Sequence, residues 1–264
     1  MDAVESVARA AVAEAGTRLR AAWREHKVIS FKGPVDLVTE TDREVEALVI
    51  GHLRRAFPAH QIVAEETASD QPDNQQPTWY LDPLDGTTNF AHGYPHFAVS
   101  LAFAEGGELR FGIVHDPVRD ETFVAHRGGG ASLNGAPISV SPVSDLNQAL
   151  LGTGFPYDRR ERTDYYLAFI RRFLQHSQDV RRAGSAALDL CHVACGRFEG
   201  FWEWKLRPWD TAAGVLIVRE AGGVVTDFTG NPFSLRGEQT LASNGHVHGA
   251  MVEVLTAVLG QGRG

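Results

Sequence analysis

The sequence predicts a mixed α/β (α+β) fold, and three observations carry that expectation. Apolar residues recur at helical spacing near the start, strand candidates follow one another through the middle, and strands alternate with helices towards the end. A chain of 264 residues suffices for one large domain. No internal repeat and no long Pro/Gly/Ser linker separates independent parts. We therefore expect a single domain over 1–264 with two packed lobes, an α+β lobe at 1–145 with an antiparallel sheet and an α/β lobe at 146–264.

Val4, Val7, Ala8, Ala11, Val12, Ala15, Leu19 and Trp23 predict an amphipathic helix over 2–25. Asp36 to Thr39 reads as a short extended segment after Gly33 and Pro34. Thr41 with Glu44 forms a capping-box pattern, and the helix it opens runs to about Phe57, where Pro58 stops it. Ile62 to Ala64 is a short apolar run leading to Glu65 and Glu66, and 67–77 reads as an exposed, mobile loop. Strands are expected at 96–105, 109–115 and 121–126, with a hairpin turn at Asn134-Gly135. Further strands fall at 149–155, 180–182, 198–204, 224–226 and 241–243. Helices are expected over 161–176, from Gly184-Ser185-Ala186 to about Ala194, from Asp210 to Gly222-Gly223, and over 248–259.

Composition narrows the class. With 43% hydrophobic and 22% charged residues the chain is an ordinary globular one. No apolar run approaches the ~20 residues of a membrane span. Asp2, Glu5, Arg9 and Glu14 interrupt the first helix, so it does not read as a secretory signal. Cys191 and Cys195 are four apart in a helical pattern, awkward for a mutual disulfide, and read as packed thiols. These points lead us to expect a cytoplasmic protein without a membrane partner. A net charge of -8 argues against a large nucleic-acid backbone interface and fits clustered carboxylates neutralised by cations.

Residues 79 to 90 stand out: Trp-Tyr-Leu-Asp-Pro-Leu-Asp-Gly-Thr-Thr-Asn-Phe. Trp79 to Leu81 read as the end of a buried strand, Asp82 to Asp85 as the turn after it, and Gly86 to Thr88 as a bend opening a helix. A hard cation needs carboxylate oxygens and a phosphate needs approachable N–H groups; this stretch offers both. Asp42, Glu65 and Asp210 join Asp82 and Asp85 at element ends. Each alone has a plain reading: Asp42 complements a helix dipole, Glu65-Glu66 is a solvated pair, Asp85-Gly86 is a turn, Asp210 is an N-cap. Together, acids at the ends of buried strands repel one another unless cations intervene.

Asp82 to Phe90 resembles the signature of the inositol monophosphatase family, and three further segments resemble that family in its order. They are Asp36 to Asp42, Ala64-Glu65-Glu66, and Trp209-Asp210 followed by Glu220-Ala221-Gly222-Gly223; together they cover roughly residues 30 to 230. Arg182 to Leu190 and Leu206 to Asp210 look most like the bacterial branch. The resemblance implies a layered α/β/α/β/α sandwich shared with the fructose bisphosphatases. It also implies a Mg²⁺-dependent phosphomonoesterase acting on inositol 1-phosphate, with lithium sensitivity and a homodimer as family properties.

By motif match, Glu65, Asp82 and the Leu84 carbonyl would hold one Mg²⁺, Asp82, Asp85 and Asp210 a second, and a third ion would sit near Glu65. Thr87 and Asp42 match the pair that orients the attacking water, with Glu65 assisting through its ion. The Gly86 and Thr87 N–H groups would receive phosphate. Gly184, Ser185, Ala186 and Glu203, with Asp85 and Asp210, match the polyol-binding positions, and Lys32 corresponds to a phosphate-side lysine. The implied mechanism is in-line attack by a metal-activated water, since no Cys or Asp sits in a phosphatase nucleophile pattern.

Other signals have plainer readings. Gly152-Thr153-Gly154 is a poor dinucleotide fingerprint, Arg127 to Gly130 reads as a loop, and His246 and His248 as packed or surface residues. Arg159, Arg160, Arg162, Arg171 and Arg172 form a basic cluster, by default a solvated surface. Two alternatives stay open. One is a relative acting on histidinol phosphate, fructose 1,6-bisphosphate or a nucleotide phosphate, favoured if Lys205 and Arg207 point inward. The other is a regulatory partner of the transcription machinery, for which the arginines would matter.

Overall fold

The computed structural model describes residues 1–23, 29–31, 37–67 and 76–261. The readings of Lys32 and Asp36 lie outside these residues, as does most of the expected loop at 67–77. The chain opens with α1 (Asp2–Trp23) and a two-stranded antiparallel ribbon of β1 (Ile29–Phe31) and β2 (Leu37–Thr39), followed by α2 (Glu40–Ala56). The capping box of α2 lies earlier than expected. Thr39, not Thr41, is the N-cap and Asp42 stands at N3, so Asp42, not Glu44, reaches back to the cap.

A seven-stranded sheet follows, built in sequence order: β3 (Gln61–Ala64), β4 (Thr78–Asp85), β5 (Ala98–Glu105), β6 (Glu108–Asp116), β7 (Glu121–His126), β8 (Gly130–Leu133) and β9 (Ala136–Pro137). Only β3 and β4 run parallel. The turn expected after Leu81 is instead the end of β4, which continues to Asp85 through a break in register between Asp82 and Asp85. Pro83 lacks an N–H, so the ladder tolerates it where the pairing is interrupted. A short helix, α3 (Thr87–Ala91), leaves the end of β4. Asn134 and Gly135 both have positive φ, 50° and 82°, as a primed hairpin turn requires.

The second half alternates: β10 (Leu150–Thr153), α4 (Thr163–His176), β11 (Asp179–Arg181), α5 (Ala186–Ala194), β12 (Gly200–Trp204), α6 (Pro208–Glu220), β13 (Val224–Thr226), β14 (Gln239–Ser243) and α7 (His248–Gln261). Its five strands form a mixed sheet in the order β11-β10-β12-β14-β13. Helix α6 begins at Pro208, ahead of the start expected at Asp210. Pro208 supplies the pre-set φ of a first helical residue, and Asp210 sits inside the first turn and accepts from Arg207 N–H at 2.7 Å.

Side-chain alternation divides the molecule into layers. Trp79, Leu81, Val99, Leu101 and Phe103 face α1 and α2, while Tyr80, Ala98, Ala102 and Ala104 face α5 and α6. Phe201 and Ala242 of the second sheet close over the same two helices, and Trp202 and Leu241 face α4 and α7 on the far side. The stack is α1α2, sheet, α5α6, sheet, α4α7, the expected α/β/α/β/α sandwich. Each large side chain sequestered in this way contributes about 1.5–3 kcal/mol. Small residues bring the middle helices close: a Cβ on Gly112 would lie 3.0 Å from the Ala213 backbone of α6.

Candidate active site

The ends of β4, α3, β12, α5 and α6 meet in one pocket of about 530 Å³. Glu65, Asp82, Leu84, Asp85, Gly86, Thr87, Gly184, Ser185, Ala186, Glu203 and Asp210 all line it. Asp42 reaches it indirectly, through a hydrogen bond received from Thr87 Oγ1 at 3.1 Å. The pocket therefore gathers the described candidate residues from separate segments of the chain, Asp42 alone standing behind its wall at Thr87.

Each acid is held by its local backbone. Asp82 is 2% exposed and accepts from Leu84 N–H at 2.9 Å. Asp85 accepts from Ser185 Oγ at 2.6 Å and Ala187 N–H at 2.7 Å, which ties β4 to the start of α5. Ser185 is also the N-cap of α5. Asn89 completes the connection by donating to the carbonyls of His96 at 2.7 Å and Ala183 at 2.9 Å. Gly86 has φ 94°, and a Cβ there would stand 3.0 Å from the His96 carbonyl, so both backbone and space demand glycine.

The electrostatics follow from crowding. Burial, then the charges of Glu65, Asp85 and Asp210, push the Asp82 carboxyl well above its ordinary range against the help of Leu84 N–H. Burial raises Asp85 too, opposed by Ser185, the amides of Ala187 and Ala186, and Arg182. Asp210 is raised well above its ordinary range by burial and by Asp85, Glu65 and Glu203, opposed by Arg207 N–H. Glu203 is pushed up to about 8 by burial, with Arg182 opposing and Asp85 adding. Among the described residues, no three His, Cys, Asp or Glu side chains are already gathered as a metal cluster. The donor set nevertheless fits a hard divalent cation: it is all oxygen, and its mutual repulsion is the kind that such a cation relieves.

Asp42 is fully buried; burial raises its carboxyl while hydrogen bonds from Thr39 and Thr87 oppose that rise. Thr87 Oγ1 also lies 3.0 Å from the Leu84 carbonyl, so one hydroxyl proton has two acceptors. Glu203 projects from β12 onto Gly154, where a Cβ would fall 2.1 Å from Oε2. Gly154 belongs to the glycine pair set aside as a fingerprint; its part is to make room for this carboxylate.

Several contacts carry no signal in the sequence. Arg182 lines the pocket, lies 5.7 Å over the Phe155 ring, and lowers the carboxyls of Asp85 and Glu203 by its charge. Asp158 accepts from Lys205 Nζ and from the buried Tyr166 hydroxyl, both at 2.7 Å. Lys205 is therefore engaged at the rim in an ion pair. A lone acid beside Arg159 and Arg160 looks like any solvated turn, which hides Asp158. Of the set-aside signals, Gly128 and Gly130 N–H groups are occupied by the Glu220 carboxylate at 2.9 and 3.0 Å. His248 is packed between the hydroxyls of Ser243 and Thr226. Arg159 lines the pocket and Arg162 stacks 4.2 Å over Tyr165, which breaks up the basic cluster.

A layered sandwich with an acid-lined pocket at the strand ends is the setting of a phosphatase. The chain belongs to the inositol monophosphatase family, whose model matches residues 1–259. It is 45% identical over 223 residues to Nus factor SuhB of Escherichia coli (strain K12), covering 84% of each chain. Among solved structures, the extragenic suppressor protein suhB of Bartonella henselae superposes with a TM-score of 0.91 at 39% identity, covering 96% of this chain and 98% of that one. An inositol monophosphatase from Anabaena (Nostoc) gives 0.87 at 41% identity, covering 96% and 94%. No helix among the described residues is long and apolar enough to cross a membrane.

Proposed function

We propose that the protein is a Mg²⁺-dependent phosphomonoesterase that hydrolyses myo-inositol 1-phosphate and related small monophosphates to the free alcohol and phosphate. The observation that carries this reading is the meeting of Glu65, Asp82, Asp85 and Asp210 in one pocket, beside the Thr87–Asp42 hydrogen bond and facing Glu203. Glu65, Asp82 and the Leu84 carbonyl would hold one ion, Asp82, Asp85 and Asp210 a second, and Glu65 would contribute to a weaker third. When bound, the ions neutralise phosphate and leaving oxygen and make water acidic enough to attack near neutral pH.

The chain's own residues do the rest. Asp42, fixed by Thr39 and fully buried, accepts the Thr87 hydroxyl proton. That leaves Thr87 Oγ1 a lone pair with which to accept from the attacking water and aim it. Gly86 and Thr87, at the first turn of α3, present N–H groups to phosphate oxygens. The alcohol lies against Gly184, Ser185 and Ala186, with Glu203 exchanging hydrogen bonds with its hydroxyls. Asp85 and Asp210 face the same hydroxyls from the ion side. A single domain of two packed lobes, assembled as a homodimer and inhibited by lithium, belongs to the same proposal.

Phosphate release from inositol 1-phosphate, histidinol phosphate, fructose 1,6-bisphosphate and NADP, each with and without Mg²⁺, tests the reading. Mg²⁺-dependent turnover led by inositol 1-phosphate is expected. No turnover of any of them with Mg²⁺ sinks it. Lys205, the residue that favoured a second anionic group, is paired with Asp158, which supports a polyol over a bisphosphate.

The relatives named Nus factor favour a second reading, a role in the transcription machinery alongside catalysis. With Arg159 in the pocket wall and Arg162 on Tyr165, the exposed Arg160 and Arg171 are the cations available to a partner. Binding to RNA polymerase components that survives Asp82→Asn and is lost in Arg160→Glu/Arg171→Glu supports this role; binding indifferent to the arginines removes it.

A further inference from the structure

A second cleft, of about 770 Å³, opens at the other end of β4 from Asp85. We propose that it is an anion-binding site for a small phosphate-bearing molecule with at least two negative charges. Its walls are the start of β4, the β5–β6 turn, the β7–β8 turn, the last turn of α6 and residues 233–236.

The cations of its wall define it. Arg127, Arg219 and Arg236 all line the cleft, against Glu108 and Glu220. Glu220 is engaged by backbone, whereas Glu108 is engaged by one of the cleft's own cations, Arg127. Glu220 accepts the N–H groups of Gly128 and Gly130, and Glu108 is shared by Arg127 at 2.8 Å and Arg110 at 3.2 Å. Arg219 has no carboxylate partner among the described residues, and its guanidinium lies 5.9 Å over the Phe233 ring. Burial, and then the charge of Arg127, disfavour the charge that Arg219 carries there. The negative end of α6 favours one cation at this place, as at any helix C-terminus. It does not account for a second guanidinium, that of Arg127, in the same wall as the exposed Arg219, a pair that an anion between them would bridge.

An independent observation points the same way. Tyr80 is 8% exposed and lines the cleft, yet its hydroxyl has no hydrogen-bond partner among the described residues. The hydroxyl is left open to the cleft, where it is a ready donor to a ligand oxygen. The charge of Arg236 reaches this phenol. A phosphate oxygen accepting from Tyr80 would thus sit among the guanidiniums, while Phe233 covers the body of the molecule. Tyr80 lies two residues before Asp82 on β4, and Arg219 shares α6 with Asp210. The site is built on the same two elements as the catalytic pocket.

Calorimetric titration with inorganic pyrophosphate in EDTA tests the proposal. Without metal the catalytic acids repel a polyanion, so binding there is suppressed. Saturable binding of one pyrophosphate per chain is expected, weakened at least tenfold in Arg219→Gln and several-fold in Tyr80→Phe, which removes only the hydroxyl. Asp85→Asn should leave it unchanged. Absence of saturable binding at millimolar pyrophosphate overturns the proposal. So does binding that responds to Asp85→Asn and ignores Arg219→Gln and Tyr80→Phe. Retained far-UV circular dichroism and melting temperature in both cleft variants tie any loss to the cleft and not to unfolding.

Discussion

Asp85 and Ser185, separated by 100 positions, are joined by a 2.6 Å hydrogen bond in which the serine hydroxyl donates to Oδ2. This one contact links the end of β4 to the start of α5, and so links the segment proposed to hold cations to the one proposed to hold the alcohol. Ser185 also caps α5, and its loss removes a cap worth about 1 kcal/mol.

Ser185→Ala should therefore lower stability modestly and weaken Mg²⁺ activation more. Asp85 would lose one of the contacts that opposes its raised carboxyl pKa. The expected result is a several-fold higher Mg²⁺ concentration for half-maximal phosphate release. Unchanged Mg²⁺ dependence would show that the hydroxyl only caps the helix.

Gly154→Ala places a methyl where Glu203 Oε2 now lies, at a distance of 2.1 Å. Displacing the Glu203 carboxylate should raise KM for inositol 1-phosphate about tenfold or more, with a smaller effect on kcat. Steady-state kinetics at saturating Mg²⁺ measures the split; an unaltered KM would detach Glu203 from alcohol recognition.

Thr87→Val removes the hydroxyl that Asp42 accepts from, while Thr87→Ser keeps it. We expect kcat to fall by about 10²–10⁴ in the valine variant. The serine variant should stay within roughly tenfold of the parent on the same scale. Equal losses in both would mean that the methyl group, not the hydroxyl, matters.

The raised carboxyls make the metal-free protein sensitive to pH. For Asp82, Asp85, Asp210 and Glu203 the folded pKa lies above the unfolded one, so the native state holds more protons between the two. That contribution to stability is fully present below the ordinary carboxylate range and is lost as pH rises through the folded values, for Glu203 up to about 8. In EDTA the melting temperature should fall from pH 5 to pH 8, Asp82→Asn should flatten the fall, and Mg²⁺ should raise the melting temperature most at the alkaline end. A melting temperature that climbs with pH in EDTA would contradict a raised folded pKa for these acids.

Much of the pocket is legible in the sequence because its residues lie at places that betray themselves locally. Asp82, Asp85 and Gly86 share one short segment, and Asp210 follows Pro208 and Trp209 at a helix start. The same local view misplaces the cap of α2 and ends β4 too early. Capping is decided by which side chain can reach back to the helix's first N–H groups. A strand's end is decided by the partner strand, here β5 opposite Asp82 and Asp85.

Alternation and helical periodicity by themselves indicated most of the strands and helices, because burial on one face writes a period into the chain, while the layered sandwich and the roles of the acids followed from the family resemblance. The tertiary structure alone decided which residues from distant segments share a wall. Arg182 beside Glu203, Asp158 under Lys205, Gly154 against Glu203, and Tyr80 among the arginines of the second cleft are all such cases. No periodicity encodes them, since each depends on how the two sheets pack across α5 and α6. Contacts between elements follow from that packing, and packing is a property of the whole chain.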